Sequence, residues 1–335
     1  MILNRKPAIS VLMPAFNCEK YIAEAIESIL NQSFEDFEFI IINDGSKDNT
    51  AKIIRKYNDK RISIINNTKN LGVIKTLNEG IRLCKGKYIV RMDADDISRP
   101  DRFKIQTSFM EKNPDIAVCG SWVEVFGSGK NYVWKTPIGT EKIRTRLFFE
   151  SCLIHSSVII SKNVIDNYDL NFNGNYKHAE DYYLWLKISE ISKMNNIQKV
   201  LLDYRVHQDQ VGKKYQKKQS ESTKKIFRYM IKKLDYNPTQ SDLDRHYNIM
   251  SWHPVESVQE LGKSGDWLKG LLKLNKVSAV YPLTLFNNYV GERWAGTIYL
   301  ANKLGLVRFF IFFKKKELIL PTLKFYIVFL IKRLK

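Results

Sequence analysis

Cysteine is scarce in this sequence. The four cysteines (Cys18, Cys84, Cys119 and Cys152) lie far apart and form no Cys-x-x-Cys pair. Disulfide frameworks and cysteine-based zinc sites both require cysteines that meet in groups. The spacing therefore argues against both kinds of site and indicates a protein of a reducing compartment.

Long apolar runs are also missing. No stretch reaches the roughly 18–20 uninterrupted apolar residues that a membrane-spanning helix needs. The segment MILNRKPAISVLMP at residues 1–14 lacks the apolar centre of a secretory signal peptide. We therefore expect a cytoplasmic protein.

Acidic residues are too few to balance the basic ones. The 335 residues include 54 lysines and arginines against 35 aspartates and glutamates, which leaves a net charge of +19. Such an excess indicates an anionic partner, which is a nucleic acid, an anionic membrane surface or a phosphorylated ligand. Because 44% of the residues are hydrophobic, the composition excludes disorder of the chain as a whole.

Short apolar runs alternate with segments of helical spacing through the first half of the chain. The predicted elements are strands at 8–16, 37–43, 61–66 and 87–92, and helices at 19–30, 47–57 and 72–84. This alternation predicts an α/β fold with a mostly parallel sheet flanked by helices. Ligands bind such sheets beyond the carboxyl ends of the strands, where the polar segments 14–17, 43–46 and 93–96 fall.

The second half begins with further strands and then becomes helical. The predicted elements are a helix capped by Ser98 with Pro100 in its first turn and its end near 113–114, a strand at 116–127 with a hairpin return at 131–136, and helices at 141–150 and 179–191. From about residue 213 the sequence is basic and helical in character. We expect a catalytic α/β domain over residues 1–212 and a mainly helical basic region over 213–335.

Three carboxylates follow the strand predicted at 87–92. Asp93, Asp95 and Asp96 are so close in sequence that their charges repel one another. A charged loop that leads into a helix would have an ordinary explanation in the helix dipole. The position at the edge of the sheet favours a second interpretation, in which Mg²⁺ or Mn²⁺ binds these carboxylates together with phosphate oxygens of a substrate.

Two more polar segments, PAFNCEKY (14–21) and NDGSKDNT (43–50), are typical of a helix start and of a turn. In a nucleotide site, Phe16 would stack on a flat ring, and backbone atoms beside Pro14 and Ala15 would contact the edge of that ring. Asp44 would accept a hydrogen bond from an N–H group of the base. Each segment by itself is a weak signal.

Together, five motifs resemble those of family 2 glycosyltransferases. They are ISVLMPAFN, FIIINDGSKDNT, NLGVIKTLNEGI, GKYIVRMDADD and AEDYYLWLKI, and they cover roughly residues 8–210. The resemblance implies a GT-A fold, which is a Rossmann-like domain that binds a nucleotide sugar, usually a UDP-sugar. The order and spacing of the motifs are specific to the family but not to one substrate.

The resemblance also implies roles for single residues. Ala15, Phe16 and Glu19 would line the nucleotide pocket. Asp44 would bind the uracil ring, and Asp93 would contact the ribose. Asp95 would ligate Mn²⁺ or Mg²⁺, whereas Asp96 would support the loop.

Two positions depart from the family pattern. Asn43 replaces the first acid of the usual DDGS motif, while Asp44 retains the second. Leu77 stands where an arginine is frequent in the third motif. Lys75 is the nearby cation that would take the place of this arginine in nucleotide binding.

Inverting transfer requires a base that deprotonates the acceptor hydroxyl, and a positioned carboxylate is adequate. The resemblance implies that Asp181 is this base and that Glu180 binds the acceptor or orients the loop. Two acids in the first turn of a helix are also favoured by the dipole alone. His207 corresponds to a histidine that approaches the metal and diphosphate in related enzymes, although a lone histidine is more often structural. His155 could line the acceptor side, but a structural role is the preferred interpretation.

Residues 306–335 contain two short apolar runs, each followed by basic residues and separated by Pro321 and Lys324. This pattern favours an anchor on an anionic membrane surface, and a packed helical hairpin is the alternative. The lysines within 213–218 either close over a diphosphate or form a solvated face.

These observations together predict an inverting, metal-dependent glycosyltransferase of polysaccharide, capsule or lipopolysaccharide biosynthesis. Its expected partners are a UDP-sugar donor, a glycan or lipid-linked glycan acceptor, and the anionic inner face of the cell membrane. One alternative is another donor, such as dTDP-rhamnose. A second is a basic nucleic-acid-binding protein, which lacks support because no RNP, KH or zinc-finger signature is present. A third is a degenerate, non-catalytic homologue, and the presence of all the main acids argues against it.

Overall fold

A computed structural model describes residues 6–127, 129–208, 215–319, 321–323 and 325. These residues fall into two compact units. The first unit lies within residues 1–143 and 151–216, and the second lies within residues 144–150 and 217–335.

Nine strands of the described residues form one sheet in the first unit, with the order β3-β2-β1-β4-β8-β6-β9-β5 and with β7 paired to β6. The strands are β1 (Ile9–Ala15), β2 (Phe37–Asn43), β3 (Ile62–Asn66), β4 (Tyr88–Arg91), β5 (Ile97–Ser98), β6 (Ile116–Phe126), β7 (Tyr132–Trp134), β8 (Ile159–Ser161) and β9 (Lys193–Arg205). The mainly parallel sheet predicted from the alternating pattern is confirmed, since β3, β2, β1 and β4 pair in parallel.

The direction of the remaining strands determines where the polar segments meet. Strand β8 runs antiparallel to both β4 and β6, so β6 runs in the same direction as β4. Strand β9 is parallel to β6. The carboxyl ends of β1, β2, β4, β6 and β9 therefore share one edge of the sheet, which is where α/β proteins place their ligands.

The helices that belong to the first unit cover this sheet, and α5 continues from it into the second unit. They are α1 (Ile22–Leu30), α2 (Thr50–Ile54), α3 (Val73–Leu83), α4 (Arg102–Lys112), α5 (Thr140–Arg146), α6 (Lys162–Asn167) and α7 (Glu180–Ile191). Helix α1 shows how the pattern determines packing, because Ile22, Ile26 and Ile29 recur at helical spacing and are fully buried in the core. Burial of each such side chain contributes about 1.5–3 kcal/mol.

The prediction that Ser98 caps a helix with Pro100 in its first turn is wrong. Ser98 belongs to β5, which pairs with β9, and its hydroxyl receives a hydrogen bond from the Gln32 amide at 3.2 Å. Helix α4 begins at Arg102. The long strand β9 offers hydrogen-bond partners to residues 97 and 98, and a pairing between segments so distant in sequence is not visible in a local pattern.

The second unit is built from helices, as the basic carboxyl-terminal sequence predicted. They are α8 (Gln216–Lys232), α9 (Gln240–Met250), α10 (Val258–Ser278), α11 (Leu283–Leu300) and α12 (Val307–Lys314). Among the described residues, every helix is too short or too polar to cross a lipid bilayer. Parts of two predictions lie outside the described residues: 213 and 214 of the lysine stretch, and 320, 324 and 326–335 of the tail.

An ion-pair network in the second unit is formed around a buried arginine. Arg293 is fully buried and pairs with Glu150, while Arg146 pairs with both Glu150 and Glu292. Beside this network, the Phe148 ring makes edge contacts with several aromatic rings, including His246 and Phe286. The segment 144–150 thus contributes to the helical unit although the sheet domain surrounds it in sequence.

Candidate active site

The three acids of the run meet in space as well as in sequence. Oxygen atoms of Asp93, Asp95 and Asp96 lie within 4.8 Å of one another at the end of β4. Asp96 is buried, whereas Asp93 and Asp95 are partly exposed. Burial, together with the charges of Asp93 and Asp95, raises the pKa of Asp96 well above its ordinary value. Three clustered acids repel one another, and the cationic and hydrogen-bond donor groups described next offset this repulsion.

Arg91 is the principal cation of this group, and the sequence analysis did not identify it. It is the last residue of β4, its side chain is buried, and it forms an ion pair with Asp93. Burial by itself lowers the pKa of Arg91, but Asp93, Asp96 and Asp95 together raise it. The sequence contained a signal that could have identified Arg91, because an arginine ends an otherwise apolar strand directly before the acids in IVRMDADD.

Arg205 ties the end of β9 to the acidic loop. Its backbone N–H donates to Asp96 Oδ1 at 2.9 Å, and its Nε–H donates to the backbone carbonyl of Asp95 at 2.8 Å. The guanidinium also lies over the Tyr21 ring, 4.9 Å from the ring centroid. The loop is thus held from a strand that lies 110 residues away in sequence.

His207 follows β9 and reaches the same cluster. Its Nε2 lies 2.9 Å from Asp95 Oδ2, and its ring centroid lies 4.8 Å from that of Tyr21. The structure therefore places side by side the two residues for which the family resemblance implies metal contacts. Carboxylate oxygens are the ligands that Mg²⁺ and Mn²⁺ prefer, so the three acids fit such a divalent cation, and the His207 imidazole adds a nitrogen donor beside Asp95.

The two segments predicted to bind a nucleotide are joined to each other. Asn17 Oδ1 accepts a hydrogen bond from the Lys47 backbone N–H at 2.8 Å. Glu19 Oε2 accepts from the backbone and side-chain nitrogens of Asn49 at 2.8 and 2.7 Å. These contacts connect the end of β1 with the end of β2, so Glu19 has a positioning role in the loop. Phe16 is 46% exposed at the same edge.

Asp44 is buried and already has several hydrogen-bond donors. Asn67 Nδ2 and the backbone N–H of Leu71 donate to its Oδ1 at 2.8 and 2.9 Å, and the backbone N–H of Gly72 donates to its Oδ2 at 2.9 Å. Asp44 therefore holds the 67–72 loop at the start of α3. Two carboxylate oxygens accept about four hydrogen bonds, so a further acceptor position remains beside this loop.

The motif NLGVIKTLNEGI, which forms most of α3, has one side chain of interest at the surface and one in the core. Lys75 is exposed on α3, and Leu77 is fully buried. Leu77 therefore offers no charge to a nucleotide, and Lys75 is the cation that α3 exposes near this position. Pro14 and Ala15 end β1 at the ligand edge.

Glu180 and Asp181 begin α7, and burial changes the acidity of both. Burial and the charge of Asp181 raise the pKa of Glu180 to about 7. Burial also raises the pKa of Asp181, whereas its backbone hydrogen bonds and Arg91 oppose the rise and Asp93 adds to it. Asp181 therefore lies within electrostatic range of the acidic run. A carboxylate with a raised pKa is a better proton acceptor than one in water.

His155 packs among aromatic side chains, which agrees with the structural role expected for it. Its ring packs against Phe172 and Trp185 at centroid distances of 5.2 and 5.9 Å. Burial and the nearby charge of Arg91 lower the pKa of His155 well below its ordinary value, which disfavours the charged form of the ring.

The chain is similar in sequence to a protein family and to individual proteins of that family. The family described as Glycosyl transferase family 2 matches residues 10–168. An uncharacterized glycosyltransferase of Haemophilus influenzae is 38% identical over 278 residues, which cover 79% of this chain and 84% of the relative. The O-antigen biosynthesis glycosyltransferase WbnJ of Escherichia coli is 34% identical over 218 residues, covering 62% of this chain and 83% of that protein.

Solved structures with the same fold include TarS residues 1–349 of S. aureus in complex with UDP-GlcNAc. The TM-score is 0.59 at 19% identity, and the match covers 87% of this chain and 88% of the other. This likeness confirms the predicted GT-A type fold. Sequence identity over most of the chain then determines the family: the chain belongs to the family 2 glycosyltransferases, a family of enzymes.

Proposed function

We propose that the protein transfers a sugar from a UDP-sugar to a glycan acceptor with inversion at the anomeric carbon. The observation that carries this proposal is the acidic run at the same sheet edge as Phe16 and Asp44. A diphosphate needs cations, and a uracil needs a flat apolar contact and an acceptor for its N–H. TarS, which shares the fold, was solved with UDP-GlcNAc. We infer that the nucleotide contacts involve Pro14, Ala15, Phe16, Glu19, Asp44, Lys75 and Asp93.

Asp95 and His207 are the residues proposed to hold Mn²⁺ or Mg²⁺. When bound, such an ion supplies positive charge that offsets the charge developing on the leaving diphosphate. Arg91 neutralises Asp93 through their ion pair, and Arg205 donates to Asp96. Of the three acids, Asp95 is therefore the one whose carboxylate is best placed to bind an added cation.

Asp181 is the proposed general base, and Glu180 supports it. The acceptor hydroxyl would lose its proton to the Asp181 carboxylate as the oxygen attacks the anomeric carbon. Burial raises the pKa of Asp181, and a raised pKa makes its carboxylate a better acceptor for the proton of the acceptor hydroxyl.

We infer a role in the assembly of a bacterial polysaccharide, such as capsule or lipopolysaccharide. The similar WbnJ protein is named for O-antigen biosynthesis. A lipid-linked acceptor at the inner face of the cell membrane would suit a chain that carries a net charge of +19.

Calorimetric titration of UDP with and without Mn²⁺ tests the site. We expect metal-dependent binding in the wild type and weakening by at least about tenfold in Asp95→Asn, because loss of a direct ligand exceeds the loss of an outer partner. Asp166→Asn, which removes an exposed carboxylate on α6, is the matched control and should bind like the wild type.

Absence of UDP binding under both conditions would exclude UDP as the donor nucleotide. Titration with dTDP and GDP would then test the alternative donors, because Asp44 recognises a base N–H without specifying the base. UDP binding that is independent of metal and unchanged in Asp95→Asn would contradict the role of the acidic run.

A further inference from the structure

Helix α12 (Val307–Lys314) in the second unit has one packed side and one exposed apolar side. Phe312 is buried, and Leu318 just beyond the helix is fully buried. On the other side, Leu306, Val307, Phe310 and Phe313 are 77%, 44%, 70% and 61% exposed. Their positions recur at helical spacing, so they form one continuous stripe. Over its described part, the tail therefore packs one side of this helix and leaves the other side exposed.

Basic side chains border this stripe. Lys314 and Lys316 are exposed, and neither has a carboxylate partner among the described residues. Lys315 is held by Asp266, and Lys303 by Glu256 at 2.9 Å. Large exposed apolar side chains rimmed by cations are unusual on a protein that remains free in solution. Apolar burial combined with lysine–phosphate attraction is the chemistry of a helix that lies in a membrane interface.

We propose that the stripe Leu306, Val307, Phe310 and Phe313 docks this protein onto an anionic lipid bilayer, with Lys314 and Lys316 at the headgroup phosphates. The charge of the chain supports this occupant over a second copy, since two copies that each carry +19 repel one another. The proposal extends the membrane setting of the proposed function, but it depends on a surface that is separate from the nucleotide residues.

Co-sedimentation of the full chain with lipid vesicles tests the proposal. We expect binding to phosphatidylcholine vesicles that contain phosphatidylglycerol, and little binding to phosphatidylcholine alone. Phe310→Ser combined with Phe313→Ser should weaken binding by about tenfold or more, because both rings would leave the interface. A separate variant, Lys314→Gln combined with Lys316→Gln, should also weaken vesicle binding. Its effect should be larger at low salt than at high salt, because salt screens the attraction between lysines and phosphates.

The matched control combines Tyr132→Ser with Trp134→Ser, which removes two exposed aromatic rings from β7 in the other unit. This control should bind vesicles like the wild type. Vesicle binding that is absent in the wild type, or unchanged in the Phe310/Phe313 variant, would overturn the proposal. The proposal would also be overturned if the wild type sedimented as a dimer, the Phe310/Phe313 variant sedimented as a monomer, and both bound vesicles equally. The stripe would then be a dimer interface.

The same protein samples should be titrated with UDP and Mn²⁺. The Phe310/Phe313 variant is expected to bind UDP like the wild type, which also establishes that it is folded. Loss of vesicle binding with intact UDP binding supports the docking surface. Vesicle binding without UDP binding would refute the donor assignment while leaving the docking surface in place.

Discussion

Single residues at the acidic run illustrate how a folded chain tolerates clustered carboxylates. Asp93 pairs with Arg91, Asp95 contacts His207, and Asp96 accepts the backbone N–H of Arg205. Each acid thus has a different partner and a different environment. Because their surroundings differ, the three carboxylates can have different pKa values and different roles in one site.

Replacement of Asp181 tests the proposed base. Asp181→Asn keeps the shape of the side chain but cannot take up the acceptor proton, so we expect kcat to fall by about 10²–10⁴-fold. UDP binding should remain, because Asp181 is not among the proposed nucleotide contacts. Steady-state kinetics with the donor identified by screening provides the measurement. Glu180→Gln is the companion variant and should reduce kcat less; equal kcat in wild type and Asp181→Asn would refute the assignment.

Glu180 predicts a pH dependence of stability. Burial raises its pKa to about 7 in the folded chain, whereas the unfolded chain titrates near the ordinary 4.5. Between these values the unfolded state loses its proton first, so the contribution of Glu180 to stability falls as the pH rises. The full difference corresponds to about 3 kcal/mol.

Denaturant unfolding of wild type and Glu180→Gln from pH 4 to pH 8 would measure this effect, which is confined to about pH 4.5–7. The stability of Glu180→Gln relative to wild type should increase through this range and then remain constant. A difference between the two proteins that does not change with pH would show that Glu180 titrates normally.

At the scale of elements, the site depends on loops that hold one another. The loop after β1 bonds to the loop after β2 through Asn17 and Glu19, and Asp44 holds the loop before α3. Gly45 allows the closest of these approaches. Its φ is +69°, and a Cβ at this position would lie 2.4 Å from the carbonyl carbon of Lys69.

Gly45→Ala should therefore destabilise the chain and weaken UDP binding. The positive φ by itself costs about 1–2 kcal/mol, and the steric conflict with the backbone adds about 1–3 kcal/mol. Gly139→Ala is the matched control, because its φ is +90° but a Cβ there meets no atom within 4 Å. Thermal unfolding and UDP calorimetry measure the two effects. If both variants behaved alike, the close approach at Gly45 would have no role in the site.

At the scale of the whole molecule, the net charge of +19 leaves the nucleic-acid alternative to be tested. We expect duplex DNA to form no measurable complex at about 0.15 M salt, since the acidic edge repels phosphates and no recognition motif is present. Fluorescence anisotropy of a labelled duplex over a range of salt concentrations measures this. A tight complex whose affinity falls steeply with salt would favour the alternative.

Much of the fold was predictable because its signals are local. The strand predicted at 37–43 matches β2 at both ends, and the helix predicted at 179–191 matches α7 within one residue. Apolar runs and helical spacings reflect burial of the residues that carry them. The helix cap at Ser98 was predicted wrongly because the pairing of β5 with β9 joins segments about a hundred residues apart.

The sequence by itself determined the family, the alternating α/β pattern and the positions of the acids, since each depends on residue types at short spacing. The tertiary structure decided which further groups surround those acids. Arg91 and Arg205 reach the run from the ends of β4 and β9. These ends share one edge because β8 runs antiparallel to both β4 and β6, and β9 is parallel to β6. The exposed stripe on α12 likewise depends on which side of the helix is packed, and packing is a property of the folded chain.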